Sequence, residues 1–117
     1  MARLSTHVLD TSRGRPAAGV AVDLHAWRDG ERRHLTTTAT DADGRIGQSA
    51  LSGDGLAAGI YELIFHAGDY FRALGLELTA PPFLDEVVIR FGIADGAGHF
   101  HVPLLLSPYG YSTYRGS

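Results

Sequence analysis

No part of this chain runs far before a turn residue stops it, and most stretches between the turns alternate apolar and polar side chains. That pattern admits short strands and leaves no room for a long helix. Arg3–Asp10 sets Leu4, Thr6 and Val8 on one face and Ser5, His7 and Leu9 on the other, as a pleated strand would. A turn cluster follows at Asp10–Pro16, with Gly14 and Pro16 as punctuation. Gly19–Trp27 reads as a strand with Val20, Val22, Leu24 and Ala26 facing inward. Asp29-Gly30 closes a hairpin, because glycine accepts the positive φ such turns require, and the Thr-rich segment Leu35–Thr40 is the return strand.

Asp41-Ala-Asp-Gly-Arg45 is a tight turn. Its alternating Asp residues suggest a calcium loop, but the run is too short and lacks the later bidentate Glu; aspartate side chains bonding to their own backbone explain it. The small, glycine-rich stretch Gln48–Gly59 reads as a loop and Ile60–His66 as a well-buried strand. Gly68–Gly75 fits one or two helical turns, with Asp69 as N-cap and Gly75 as stop. After Pro81-Pro82, Glu86–Ile93 forms another strand with Val87, Ile89, Phe91 and Ile93 on one side. Asp95–Gly98 is the next turn, and Val102–Leu106 the last strand. The expectation is one all-β domain over residues 1–117, an antiparallel β-sandwich of about seven to eight strands with one short helix. Sandwiches leave edge strands that must be covered, so the apolar end of the chain is expected to pair or pack across a subunit boundary.

Composition narrows the function. At 117 residues the chain can bury a core without staples. A net charge of −3 argues against non-specific nucleic-acid binding, which needs a basic face. The absence of cysteine excludes disulfides and thiolate-held metal sites. No apolar run reaches the length of a membrane helix and no charged-then-apolar leader opens the sequence, so a cytoplasmic location is expected.

Six histidines are candidates for proton chemistry near neutral pH: His7, His25, His34, His66, His99 and His101. His25 and His34 fall beside Arg32-Arg33 and read as solvated, and His66 has no partner that the sequence names. His99 and His101 share one strand face. Two such histidines can chelate a metal, but no third ligand is identifiable, and no metal centre or cofactor is expected. There is no Gly-x-Ser-x-Gly elbow, no cysteine nucleophile and no phosphate-cradling glycine loop. An enzyme built from these residues must activate water with histidine and hold an anionic substrate with cationic and hydroxyl groups.

The residues from His99 to Ser117 carry two histidines, three tyrosines and an arginine where a chain usually loses information. Their ending, Tyr-Arg-Gly-Ser117, resembles that of the 5-hydroxyisourate hydrolases, the transthyretin-related enzymes of urate breakdown. The resemblance extends to Leu4-Ser-Thr-His-Val-Leu-Asp10 with Gly14-Arg-Pro-Ala17, to Thr40-Asp-Ala-Asp-Gly-Arg45, and to His101-Val-Pro-Leu-Leu-Leu-Ser-Pro-Tyr109. It implies a transthyretin-like sandwich that assembles as a homotetramer, a dimer of dimers with active sites where the dimers meet. The implied reaction is hydrolytic opening of 5-hydroxyisourate to 2-oxo-4-hydroxy-4-carboxy-5-ureidoimidazoline, without cofactor or metal. His7 and His101 activate water or relay its proton, and the resemblance does not say which is base and which acid. Arg45 binds substrate oxygens, Tyr114 contacts the ring, and Arg115 and Gly116 place the tail. Ser117 orients a histidine through its hydroxyl or its α-carboxylate.

Two other classes share parts of this pattern. Gly68–Gly75 and Leu106–Tyr109 also resemble transthyretin itself, a carrier of a small ligand, which has no need of the His7, Arg45 and His101 set. Gly19–Leu24, Thr40–Arg45 and Gly59–Leu63 resemble the sandwich modules appended to secreted enzymes, which have no reason to end in Tyr-Arg-Gly-Ser.

Overall fold

The computed structural model describes residues 1–117. Two β-sheets pack face to face, and the expected sandwich is what the chain forms. Strands β1 (Arg3–Asp10), β2 (Arg15–Pro16), β5 (Arg45–Ile46), β8 (His99–Ser107) and β9 (Gly110–Thr113) make one sheet in the order β2-β1-β8-β9, with β5 also on β1. Strands β3 (Ala21–Arg28), β4 (Glu31–Ala39), β6 (Gly59–His66) and β7 (Glu86–Ile93) make the other in the order β4-β3-β6-β7. Every ladder is antiparallel except one, β1 against β8. A parallel pair needs a long crossover, and here the whole second sheet provides it.

Alternation decides what lies between the layers. Leu4 and Val8 of β1, Val22 and Leu24 of β3, Leu63 and Phe65 of β6, and Leu104 and Leu106 of β8 are buried. The Asp29-Gly30 turn has φ of 54° and 75°, the mirror-image turn that matches strand twist. At the end of β1, the fully buried Asp10 carboxylate accepts from the Tyr70 hydroxyl at 2.8 Å and from Arg13 Nε at 3.1 Å. Burial pushes its pKa up, but those bonds together with one from Ser12 outweigh that and leave it below the usual carboxylate range.

The one helix expected from the sequence, at Gly68–Gly75, is α2 (Ala67–Ala73), but its N-cap is His66, without a side-chain cap bond. Asp69 lies inside the first turn and pairs with Arg72 at 2.9 Å. Gly75, at φ 86°, follows the C-cap Leu74 and ends the helix as expected. The stretch read as a loop from Gln48 contains a further helix, α1 (Gln48–Ser52). One turn long and uncapped by a side chain, it has little sequence signature of its own. It is held from outside: the Leu4 N–H donates to Ser52 Oγ at 3.1 Å, and that hydroxyl donates to the Gln48 carbonyl at 2.8 Å.

The tail also differs from its expected form. The strand read as Val102–Leu106 starts at His99, and it is neither the last strand nor an edge, because β9 folds back onto it. His66, which the sequence left without a partner, has its Nε2 2.8 Å from an Asp23 carboxylate oxygen and its Nδ1 3.7 Å from Glu86. The Asp23 bond raises the pKa of His66.

Candidate active site on the outer face of the five-stranded sheet

The site begins with the alternation of β1. Because Leu4, Thr6 and Val8 point into the core, Ser5 and His7 point out. The parallel register sets Ser5 beside His101 and Arg3 beside His99, and neighbouring strands lie about 4.8 Å apart. Ser5 Oγ is therefore 2.8 Å from His101 Nδ1 and 2.9 Å from His99 Nε2. On the other side of β1 the antiparallel register sets His7 opposite Arg45.

Arg45 owes its place to the turn before it. Asp41 Oδ1 accepts from the backbone N–H groups of Asp43 at 2.8 Å and Arg45 at 3.0 Å, the aspartate-to-backbone bonding expected from the sequence. Gly44, at φ 76°, lets the turn lie against β1, where its carbonyl accepts from the Val8 N–H at 2.7 Å. A side chain at Gly44 would strike the Val8 carbonyl. The Asp43 carbonyl then accepts from His7 Nε2 at 3.0 Å. With its proton on Nε2, a neutral His7 has Nδ1 free as a base.

Arg45 and His101 meet in a shallow pocket of about 420 Å³, lined also by Ser5, Thr6 and Ser49 at the start of α1. Burial lowers the His101 pKa, and the neighbouring His99, His7 and Arg45 charges lower it further. Both effects favour the neutral imidazole, the form that can act as a base. The tail reaches it directly: the Gly116 N–H donates to the His101 carbonyl at 2.7 Å.

The other tail residues go elsewhere within one chain. Tyr114 and Arg115 line a separate groove of about 300 Å³ with Phe100 and the β7 segment Ile89–Gly92. The Arg115 guanidinium lies 4.2 Å over the Phe100 ring. Ser117 is exposed. His7, Arg45, His101 and Gly116 are therefore brought together on one face, and Tyr114 and Arg115 are not. Sequence reasoning passed over Ser5, noted His99 only for sharing a strand face with His101, and passed over Ser49. The signal for the first two was present, since Ser5 and His99 each precede a site histidine by two residues and share its face; what was missing was the β1–β8 register.

The sequence model of the family described as "HIUase/Transthyretin family" matches residues 4–116. A curated relative from Rhizobium meliloti, 5-hydroxyisourate hydrolase 2, is 60% identical, with 98% of this chain and 96% of that protein covered. Among solved structures, a Klebsiella pneumoniae 5-hydroxyisourate hydrolase aligns over the full length of both chains with 43% identity and a TM-score of 0.83. An (S)-allantoin synthase aligns over 99% of this chain with 40% identity and a TM-score of 0.88, and this chain spans 44% of its length. By sequence and by fold, this chain belongs to the HIUase/Transthyretin family.

Proposed function

We propose that this protein is a 5-hydroxyisourate hydrolase. The observation that carries the reading is the pocket that joins Arg45 to His101, with His7 in register beside Arg45, in a chain 60% identical to a hydrolase of that name. A small-ligand carrier in the same groove has no use for histidines set beside a fixed cation.

The reaction needs a water deprotonated as it adds to an acyl carbon, a site for the negative charge on the carbonyl oxygen, and a proton for the departing nitrogen. Arg45 receives the oxygens of the urate-like ring through its planar fork of donors. His101 and His7 divide the two proton transfers: one takes the proton of the attacking water, the other delivers a proton to nitrogen as the carbon–nitrogen bond opens. No cofactor or metal enters these steps.

Tyr114, Arg115 and Ser117 act in this scheme across a subunit boundary. The support is their position: within one chain they lie outside the pocket, while Gly116 ties the tail to His101. A homotetramer with sites between dimers joins the two halves, Tyr114 against the substrate ring and Ser117 orienting a histidine. No helix of the fold is long and apolar enough to cross a membrane, and we place the enzyme in the cytoplasm. Tryptic or light-scattering mass is not the deciding test; turnover is. Limiting protein should accelerate the ultraviolet decay of freshly generated 5-hydroxyisourate in proportion to its concentration. A folded protein that leaves the decay at its spontaneous rate would remove the activity.

A further inference from the structure

Ser5 is within hydrogen-bond distance of both histidines of β8, His101 Nδ1 at 2.8 Å and His99 Nε2 at 2.9 Å. A serine hydroxyl has one proton to give and otherwise accepts. The hydroxyl cannot donate to both imidazoles it bridges, so at least one of them donates to the oxygen. Their tautomers are therefore linked through Ser5.

We infer that Ser5 is a positioning residue that fixes His101 as the tautomer protonated at Nδ1, so that Nε2 is the basic nitrogen offered to the pocket. In this arrangement His101 Nδ1–H donates to Ser5 Oγ, and the Ser5 O–H donates to His99 Nε2. The inference rests on the hydrolase reading, in which His101 takes a proton from water or passes one to nitrogen. Either task needs the outward nitrogen in a defined state, and a free imidazole divides itself between two tautomers.

The surroundings fit this direction. Facing His101 are His99 on its own strand, Ser5 and His7 on β1, Arg45 on β5 and the neutral Ser49 and Gln48 of α1. Arg45 lines the same pocket as His101, and its fixed positive charge favours a lone pair over a proton on the imidazole nitrogen that Ser5 does not hold. On the tail side only the Gly116 backbone is tied to the residue, through its carbonyl and not its ring. Ser5 itself is almost covered, 9% exposed, and its hydroxyl faces the two histidines.

The test uses the full chain. Long-range ¹H–¹⁵N spectra of the imidazoles assign each tautomer directly, and kinetics follow the same variants. In the unsubstituted protein His101 should carry its proton on Nδ1. Ser5→Ala removes one oxygen whose histidine partners can still reach water, so folding should survive; His101 should become a tautomer mixture, with kcat down about tenfold and KM within about twofold. Ser5→Thr keeps the hydroxyl and should restore both. A His101 protonated at Nε2 in the unsubstituted protein, or a Ser5→Ala variant with unchanged tautomer and kcat, would overturn the role of Ser5. Absence of turnover in the unsubstituted protein would instead sink the hydrolase reading, and the spectra would still decide for or against Ser5.

Discussion

The backbone N–H of Gly116 donates to the carbonyl oxygen of His101 at 2.7 Å, and a β-carbon added to Gly116 would lie 2.6 Å from the His101 ring. The tail and the histidine are thus in contact at a place where only glycine fits without displacement. The two form an isolated antiparallel bridge beyond the end of β9. His101 is therefore held by the tail as well as by the sheet that carries it.

Gly116→Ala is expected to shift either the ring or the tail while leaving the core untouched. A misplacement near 1 Å at a reacting group costs up to roughly 100-fold, so kcat/KM should fall by about tenfold or more. Gly116 is half-buried and outside the core, so unfolding free energy should fall by no more than about 1 kcal/mol. Steady-state kinetics beside a denaturant melt measure both.

Arg45→Gln leaves a shorter polar side chain that still forms hydrogen bonds but carries no charge and no fork of donors. A bond to a charged group contributes about 1.5–3 kcal/mol, so catalytic efficiency should drop roughly 10- to 150-fold. Unchanged kcat/KM would take arginine out of substrate recognition.

Acidity should act on rate through His101 and on stability through His101 and His66, with opposite signs. His101 has its pKa lowered from 6.5 by burial and then by neighbouring positive charge, so the acid limb of kcat/KM should lie below pH 6.5. The unfolded chain binds that proton more readily, so the stability His101 contributes is present above pH 6.5 and lost as pH falls below it. His66 runs the other way: its pKa is raised from 6.5, chiefly by the bond to Asp23. Its contribution is complete below pH 6.5 and is lost as pH rises through the elevated value. His66→Ala should erase that alkaline loss in a pH series of denaturant melts and leave the acid limb of the rate in place.

Asp10 is the point where β1, the first turn and α2 are joined. Tyr70→Phe removes one hydrogen bond to a fully buried carboxylate and should cost about 1.5–3 kcal/mol. Asp10→Ala abandons the Ser12, Arg13 and Tyr70 partners together and should cost more, about 3–5 kcal/mol. Chemical denaturation of the two variants gives the order, and the reverse order would contradict this role for Asp10.

How far the sequence foretold this structure varies with the range of the interactions. Strand faces were legible because alternation is local: His7 outside, Leu4 and Val8 inside, and the Asp41 turn bonding to its own backbone all follow from neighbours. The helix α1 was not, since Gln48–Ser52 is held by Leu4, far away in the chain, more than by its own propensity. His66 looked solitary because Asp23 and Glu86 approach it only when β3, β6 and β7 are side by side. The same limit hid the Ser5 bridge. Nothing in the spacing of Ser5 and His101 reveals a parallel register, although the resemblance to the hydrolases had already pointed to His7, Arg45 and His101.

The central claim is that His101, in the pocket with Arg45, moves protons in the hydrolysis of 5-hydroxyisourate. Its most direct test is the ultraviolet decay of fresh 5-hydroxyisourate with the unsubstituted protein and with folded His101→Ala at equal concentration. Loss of a general acid or base should slow the catalysed decay by roughly 100- to 10,000-fold. Equal decay by the two proteins would contradict the account.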